Sequence, residues 1–482
     1  MYKKSFSILF ALLIICSVLI SCAADKGSQA PETTTSVETG PAVTEDPEPD
    51  NLPEMDFSGY EFKLYCRSCC PTHKDGLWQA ESTGDIVNDA VFDRNKKVEE
   101  RFNCIIAEPL LSDGEDTSVI TAALLAGDCM ADVIIPHFRF LGDMVLKQLM
   151  YDLAKIDYLD FSRPWWNTML IENYSIFGRS FVAYGTIDVD NITEAGCILF
   201  NKKLNSNYLP DENFYKNVKD GVWTIDKMNS VVHSFGADLD GDGNVTGEND
   251  LFGLTGNSGY MFMYQVAMDQ PTTRPNDDGE PELVINTPKM ATIAEKMYDM
   301  AVAYEYSKVD NDTDSAIFID SRSLFMTTKL STCINKSMRS MEDDYGILPL
   351  PKYDEAQTSY FSHGSAHSNM LGIAAIQPEI ERTGIILEAL AAEGYKMIKP
   401  AVYDVALKQK GARDDDSAEM IDIICATRTG DFADLYDEWG LVYTLDHMNR
   451  AKIDTFASFY AKNEKASIKR LSKAIDLFRE MP

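Results

Sequence analysis

Asp238, Asp240, Asp242, Asn244 and Asp250 crowd five oxygen-bearing side chains into one short run, the sharpest chemical pattern in this sequence. Their spacing follows an EF-hand calcium loop. Carboxylates fall at positions 1, 3 and 5, and Gly243 falls at position 6, where the backbone must turn sharply. Asn244 offers a backbone carbonyl at position 7, and Val245 is the apolar residue at position 8. A hard cation needs several oxygens on a short curved backbone, and this run supplies them. Position 12 is Asn249 instead of glutamate, so Asp250 or Glu248 must close the shell. No second loop accompanies it. The expectation is a structural Ca2+ that stiffens a loop; the alternative is a plain acidic turn.

The other suggestive spacings are weaker. Cys66, Cys69 and Cys70 contain a CxxC spacing, and His363 and His367 an HxxxH spacing. Neither has the second pair that a zinc centre needs, and Gly364 and Ser365 between the histidines argue for a loop over a helix. The remaining cysteines are scattered, several inside apolar runs where Cys acts as a small hydrophobe. That pattern implies reducing surroundings, not a disulfide framework. No GxSxG, HExxH or phosphate-cradling glycine loop is present. Among 76 Asp and Glu a glycosidase-like pair can always be imagined, so no catalytic residue is expected.

The elements that must position such residues alternate between strand and helix. Tyr60, Phe62 and Leu64 alternate with polar neighbours, as a half-buried strand does. Short apolar runs at 132–135, 197–200, 347–350 and 370–376 predict buried strands. Val91, Val98 and Phe102 share one face of a predicted helix over 89–102. Residues 141–150 predict another helix. Met290, Ile293, Ala294, Met297, Ala301 and Tyr304 form a helical stripe, and Ile468, Leu471, Ile475 and Phe478 mark the last helix. Trp165, Trp166 and Trp223 are expected in the core. Strands alternating with helices predict α/β lobes.

The N-terminus bounds where the chain works. Lys3 and Lys4 precede an apolar run over 8–20 that ends at Ser21 and Cys22. A charged start, a short apolar core and a cysteine after the cut resemble a bacterial lipoprotein signal. The expectation is a signal peptide over 1–21 and lipid on Cys22, the alternative an uncleaved anchor. Residues 22–53 are polar and proline-rich, and predict a disordered spacer. The chain would then sit on the outer face of the membrane, held by its lipid anchor alone. A net charge of −32 without a basic cluster excludes nucleic acid as partner.

Several segments in order resemble the extracellular solute-binding proteins of ABC importers, in the sugar-binding (family 1, maltodextrin-binding-like) branch. Residues 88–102 look like that family's first helix. Gly127, Asp128 and Asp132 look like its first-lobe strand, followed by Asp152 and Arg163, Pro164, Trp165, Trp166 and Asn167. Residues 194–204 resemble the strand that crosses between lobes. Gly221, Trp223 and Thr224 open the next helix, with Thr224 as its cap. Residues 345–352 resemble a further strand and its proline-rich exit.

The resemblance implies a two-lobed α/β fold of the type II periplasmic-binding-protein kind, with the ligand cleft between lobes. Lobe 1 is expected over 54–190 plus 365–425, and lobe 2 over 195–360 plus 426–482. His137, Phe138 and Arg139 stand where the family carries a ligand loop, and Glu194 matches a carboxylate that reaches the sugar. Tyr260 and Phe262, with Trp78 and Trp439, are the candidate aromatic platforms. The implied function is capture of a small solute, a carbohydrate or oligosaccharide, by a monomeric non-enzyme that delivers it to an ABC importer permease. The competing readings are a surface carbohydrate-active enzyme and a calcium-stiffened adhesion or scaffold lipoprotein.

Overall fold

Alternation of side chains along short strands builds, among the described residues, two sheets of three or more strands and three two-stranded pairs. In the first, Leu64–Cys66 lies between Leu110–Leu111 and Val133–Ile135, all parallel. The second has five strands in the order Ser307–Asp310, Phe252–Asn257, Ser323–Lys329, Gly196–Asn201, Tyr345–Leu348. Gly196–Asn201 runs antiparallel to both neighbours, and the other pairs are parallel. The computed structural model describes residues 48–481 apart from 70, 312–314, 336, 365–368, 412–413 and 438–439, and those from Asp50 onward form one unit. The signal, Cys22 and most of the spacer lie outside the described residues, as do His367 and Trp439.

The inner strands of both sheets, with Val133–Ile135, are buried on two faces, which is why they read as apolar runs. Leu64, Cys66, Val133 and Ile135 face one core, with Trp165, Trp166, Ile385, Ile386 and Leu390. Tyr65 and Ile134, one residue out of phase, face another. In the second sheet Cys197, Leu199, Met326 and Ile347 pack with Ile398, Val402, Leu407 and Ile421. Ile198, Phe200, Leu254, Phe325 and Leu348 face the core that also holds Tyr65 and Ile134. Helix Ile380–Pro400 continues as the π-helical Ala401–Gly411, and so carries the chain from the first core into that of the second sheet.

The helices form where their stripes and caps direct. Ile86–Phe102 starts on the Asp85 side chain, which accepts from Val87 and Asn88 N–H, and buries Val91, Val98 and Phe102. Thr224 caps Ile225–His233 as expected. Segment 369–374 is not a full ladder strand. It exchanges alternate backbone bonds with Ile134 and Ala183, and so prolongs the first sheet. Gly372 eases that close approach, since a Cβ would crowd Met150 Sδ at 2.9 Å and Phe181 O at 3.2 Å.

Two placements differ from the expected lobe boundaries. Helix Asp415–Ala426 packs on strand Tyr345–Leu348 of the second sheet, where Ser417 Oγ accepts from Ile347 N–H at 3.1 Å. Helix Phe432–Tyr436 instead packs on Phe138–Leu146 beside the first sheet, and a Cβ on Gly142 would strike Leu435 O at 2.0 Å. An apolar stripe fixes that a helix face is buried, but not which sheet covers it.

Trp165 and Trp166 lie in the core, as expected, and share one acceptor. Their indole N–H groups donate to the two oxygens of Glu388 at 2.8 and 2.9 Å. Burial pushes the Glu388 carboxyl up from 4.5 to about 7, against the two indole donors. The folded chain therefore holds this proton more tightly than the unfolded chain. Its stabilising contribution is complete below the ordinary carboxylate range and fades as pH rises from 4.5 through about 7. Glu388→Gln leaves one indole facing an amide N–H and costs about 1–3 kcal/mol. It should also flatten the fall of the thermal midpoint with pH across that window. Equal slopes in parent and variant would show that Glu388 does not titrate there.

Candidate functional site

Open α/β sheets place ligands beyond the carboxyl ends of their parallel strands. In the first sheet Cys66 is followed by Arg67, and Ile135 by Pro136 and His137. Arg67 and His137 are both buried. His73, Asp188, Asp190 and Asn369 gather nearby, all buried. Asn369 Nδ2 donates to Asp188 at 2.5 Å and to Asp190 at 3.2 Å, and His73 Nδ1 contacts Asp190. Burial, with the adjacent Asp190 charge, raises the Asp188 carboxyl well above the carboxylate range. Among the described residues, His73 Nε2 and Asn369 Oδ1 are buried without a hydrogen-bond partner.

The second sheet answers with its own polar ends. Glu194 precedes strand Gly196–Asn201, and Lys329 ends strand Ser323–Lys329. Lys329 Nζ donates to Glu194 Oε2 at 2.7 Å and Ser331 Oγ to Oε1 at 2.8 Å. Burial would lower the lysine, but Glu194 outweighs it and raises the ammonium above its ordinary range, with Tyr260 and Asp190 adding to the effect. Asp190 and Glu194 thus act on one cation between the sheets. Arg428 closes the back of the cluster. It donates to Tyr184 OH at 3.2 Å, Ile192 O at 2.9 Å and Asn191 O.

The residues named from sequence do not all meet here. Glu194 is in the cluster and Tyr260 beside it. His137 is 1% exposed and caps helix Phe138–Leu146, accepting from Arg139 N–H at 3.3 Å. Arg139 pairs with Glu115 at 3.1 Å. Phe138 and Phe262 are 2% and 1% exposed. They are corrected from ligand platforms to core, because each sits in the first turn of a helix whose apolar face is covered. Trp78 donates to Ile106 O at 3.0 Å and lines a separate cavity of about 330 Å³ with Phe92, Lys96 and Glu99. His73, Asp188, Asp190, Lys329, Ser331 and Asn369 were not singled out. The one signal in the sequence was polar residues closing apolar runs, a lysine at the end of a strand above all.

The acidic loop is a closed turn. Ala237 and Leu251 exchange backbone bonds at its neck. Gly241 and Gly243 take positive φ of 71° and 80°, which suits glycine. Asp250 is fully buried and accepts from Leu239 N–H at 2.9 Å and Thr246 N–H at 2.7 Å. Oxygens of Asp238, Asp240 and Asp250 lie within 4.8 Å of one another. Asn249 at position 12 donates its amide to Asp240 at 3.0 Å, so Asp250 stands nearer to closing the shell. Asp242 is outside the trio and accepts from Asn244 N–H at 2.7 Å. Three hard oxygens on one tight turn fit Ca2+ by donor type.

No family model matches the chain, and no curated protein matches it in sequence. Its fold is similar to that of UgpB from Mycobacterium tuberculosis, solved in complex with glycerophosphocholine. The TM-score is 0.55 at 16% identity, over 87% of this chain and 98% of that one. The chain therefore shares the mixed α/β, two-lobed fold of that structure, as expected.

The Lys329–Glu194 pair is buried enough for a single truncation to be costly. Lys329→Met should destabilise the protein by about 3–5 kcal/mol, because it strands the Glu194 charge. Lys329→Met with Glu194→Leu should recover most of that loss in urea unfolding. Additive losses in the double variant would show that the two do not interact.

Proposed function

We propose that this protein is a lipid-anchored solute-binding protein of the sugar-binding family 1 type, which captures a polar, hydroxyl-rich solute and delivers it to an ABC importer permease. The observation that carries this reading is the buried polar cluster supplied by both lobes at the strand ends. Groups from one lobe alone could bind a solute, but groups from both can also report it by closure. The orphaned His73 Nε2 and Asn369 Oδ1 offer an acceptor or donor and an acceptor, the pair a hydroxyl satisfies. Glu194 and Asp190 add charged acceptors, which strengthen bonds to hydroxyl donors. The similar fold holds glycerophosphocholine, a polyol phosphodiester, and Lys329 suits such a hybrid of hydroxyl and anion as well as a plain sugar.

In this reading no residue is catalytic. The protein works as a monomer outside the cytoplasm, with Cys22 lipidated and the 22–53 spacer holding the lobes clear of the membrane. Calcium binds Asp238, Asp240 and Asp250 and stiffens the turn after helix Ile225–His233.

Titration calorimetry against mono- and oligosaccharides and glycerophosphodiesters tests the reading. One solute class should bind saturably, and Ser331→Ala with Glu194→Gln should weaken it about 10–100-fold, as loss of a charge-assisted bond does. Flat traces for every class would overturn it.

Calcium is tested separately. At a hundredfold excess over its dissociation constant, Ca2+ should stabilise the parent by about 2.7 kcal/mol. Asp238→Asn with Asp240→Asn should abolish the shift in thermal midpoint between calcium and chelator. A shift that survives both substitutions would place the ion elsewhere.

A further inference from the structure

A cavity of about 520 Å³ lies behind that cluster, on the flank of the junction, with Arg428 as the wall the two share. One wall belongs to the first lobe: Trp165 and Trp166, with Tyr184 and Thr186. The other comes from the long helix and the helix on the second sheet: Lys399, Tyr403 and Cys425, with Arg428 at the base. The volume is that of a small-ligand pocket.

Its electrostatics are unlike the rest of a chain of net charge −32. Two cations face it. Arg428 is 6% exposed, and although its two terminal nitrogens are bonded, its Nε is buried with no partner among the described residues. Lys399 lies with its ammonium 4.3 Å above the Tyr395 ring. Burial pushes that ammonium below the usual lysine range, with only Cys425 and Asp404 acting against it. The one lining carboxylate, Asp422, is already engaged by Lys408 at 2.8 Å and by Tyr403 OH. Trp165 and Trp166 have both indole donors committed to Glu388, so they contribute apolar wall. Asn167 and Thr168 line the rim with uncharged polar groups.

From this we infer a second binding site, selective for a small organic anion with an apolar or aromatic body: Lys399 and Arg428 take the anionic group, and Trp166, Tyr184 and Tyr403 enclose the remainder. A half-buried ammonium whose desolvation outweighs the pull of Asp404 and Cys425 is a standing electrostatic cost, which an anion relieves. The aromatic walls exclude inorganic anions that keep their full hydration. Because the two walls belong to different lobes, the occupant also bridges them.

Phenyl phosphate is the probe, titrated into the full protein by calorimetry, with phenol and inorganic phosphate as controls. Phenyl phosphate should bind saturably and more tightly than either control. Lys399→Gln should weaken it about tenfold, the loss of one charge-assisted contact. Ser331→Ala, in the cleft, should leave its affinity unchanged. The inference is overturned if phenyl phosphate fails to saturate by about 10 mM, or if Lys399→Gln leaves its affinity unchanged. It is overturned equally if Ser331→Ala weakens it as much, since the anion would then occupy the cleft. A cleft that binds no sugar would not bear on this result.

Discussion

Strand ends are polar however apolar the strands are, and two sheets that present those ends to each other must satisfy them without water. The rest of this structure depends on how that junction is filled. Arg428 does it for the backbone, turning a planar fork onto the carbonyls of Asn191 and Ile192. Arg94 does the same within the first lobe, reaching Ile187 O at 3.0 Å, Leu390 O at 3.3 Å and Leu77 O at 3.0 Å. Lys329 and Ser331 do it for Glu194. Most of these contacts join segments far apart in sequence, so the cluster forms only once the tertiary fold is in place.

The same requirement explains the long helix. Its apolar residues Ile385, Ile386 and Leu390 belong to the core around the first sheet, and Ile398, Val402 and Leu407 to that of the second. One element thus enters both cores, and its π-helical turn begins after Pro400, whose missing N–H and ring are incompatible with an ordinary helical ladder. A hinge needs residues that absorb backbone change while the bodies stay rigid. The short pair of Ser362–His363 with Arg428–Thr429 adds a second tie beside it.

Much of the fold was legible because burial alone sets it. Strands buried on both faces read as apolar runs at 133–135 and 197–200, and the stripes of Ile86–Phe102 and Pro288–Tyr298 read at helical period. Thr224 was legible as a cap because capping chemistry is local. Glu194 was reached only through resemblance, since one carboxylate among 76 carries no mark of its own. What stayed hidden is non-local. Phe138 and Phe262 follow strand ends, as platforms would, yet each begins a helix and turns inward. His73 meets Asp190 across 117 residues, and Asn369 meets Asp188 across 181. No spacing rule connects such partners.

The placement of charge argues that the junction was not filled merely for stability. A buried ion pair is often no better than apolar residues of the same size, and breaking one is costly. A scaffold under selection for stability alone would close this seam with leucine and valine, as both sheets do a few residues away. Here the seam keeps Asp188, Asp190, Glu194, Lys329 and His73, and leaves His73 Nε2 and Asn369 Oδ1 without partners among the described residues. Polar groups left unmatched at the meeting of two bodies cost energy that an incoming polar molecule returns, and it returns most when both bodies close on it.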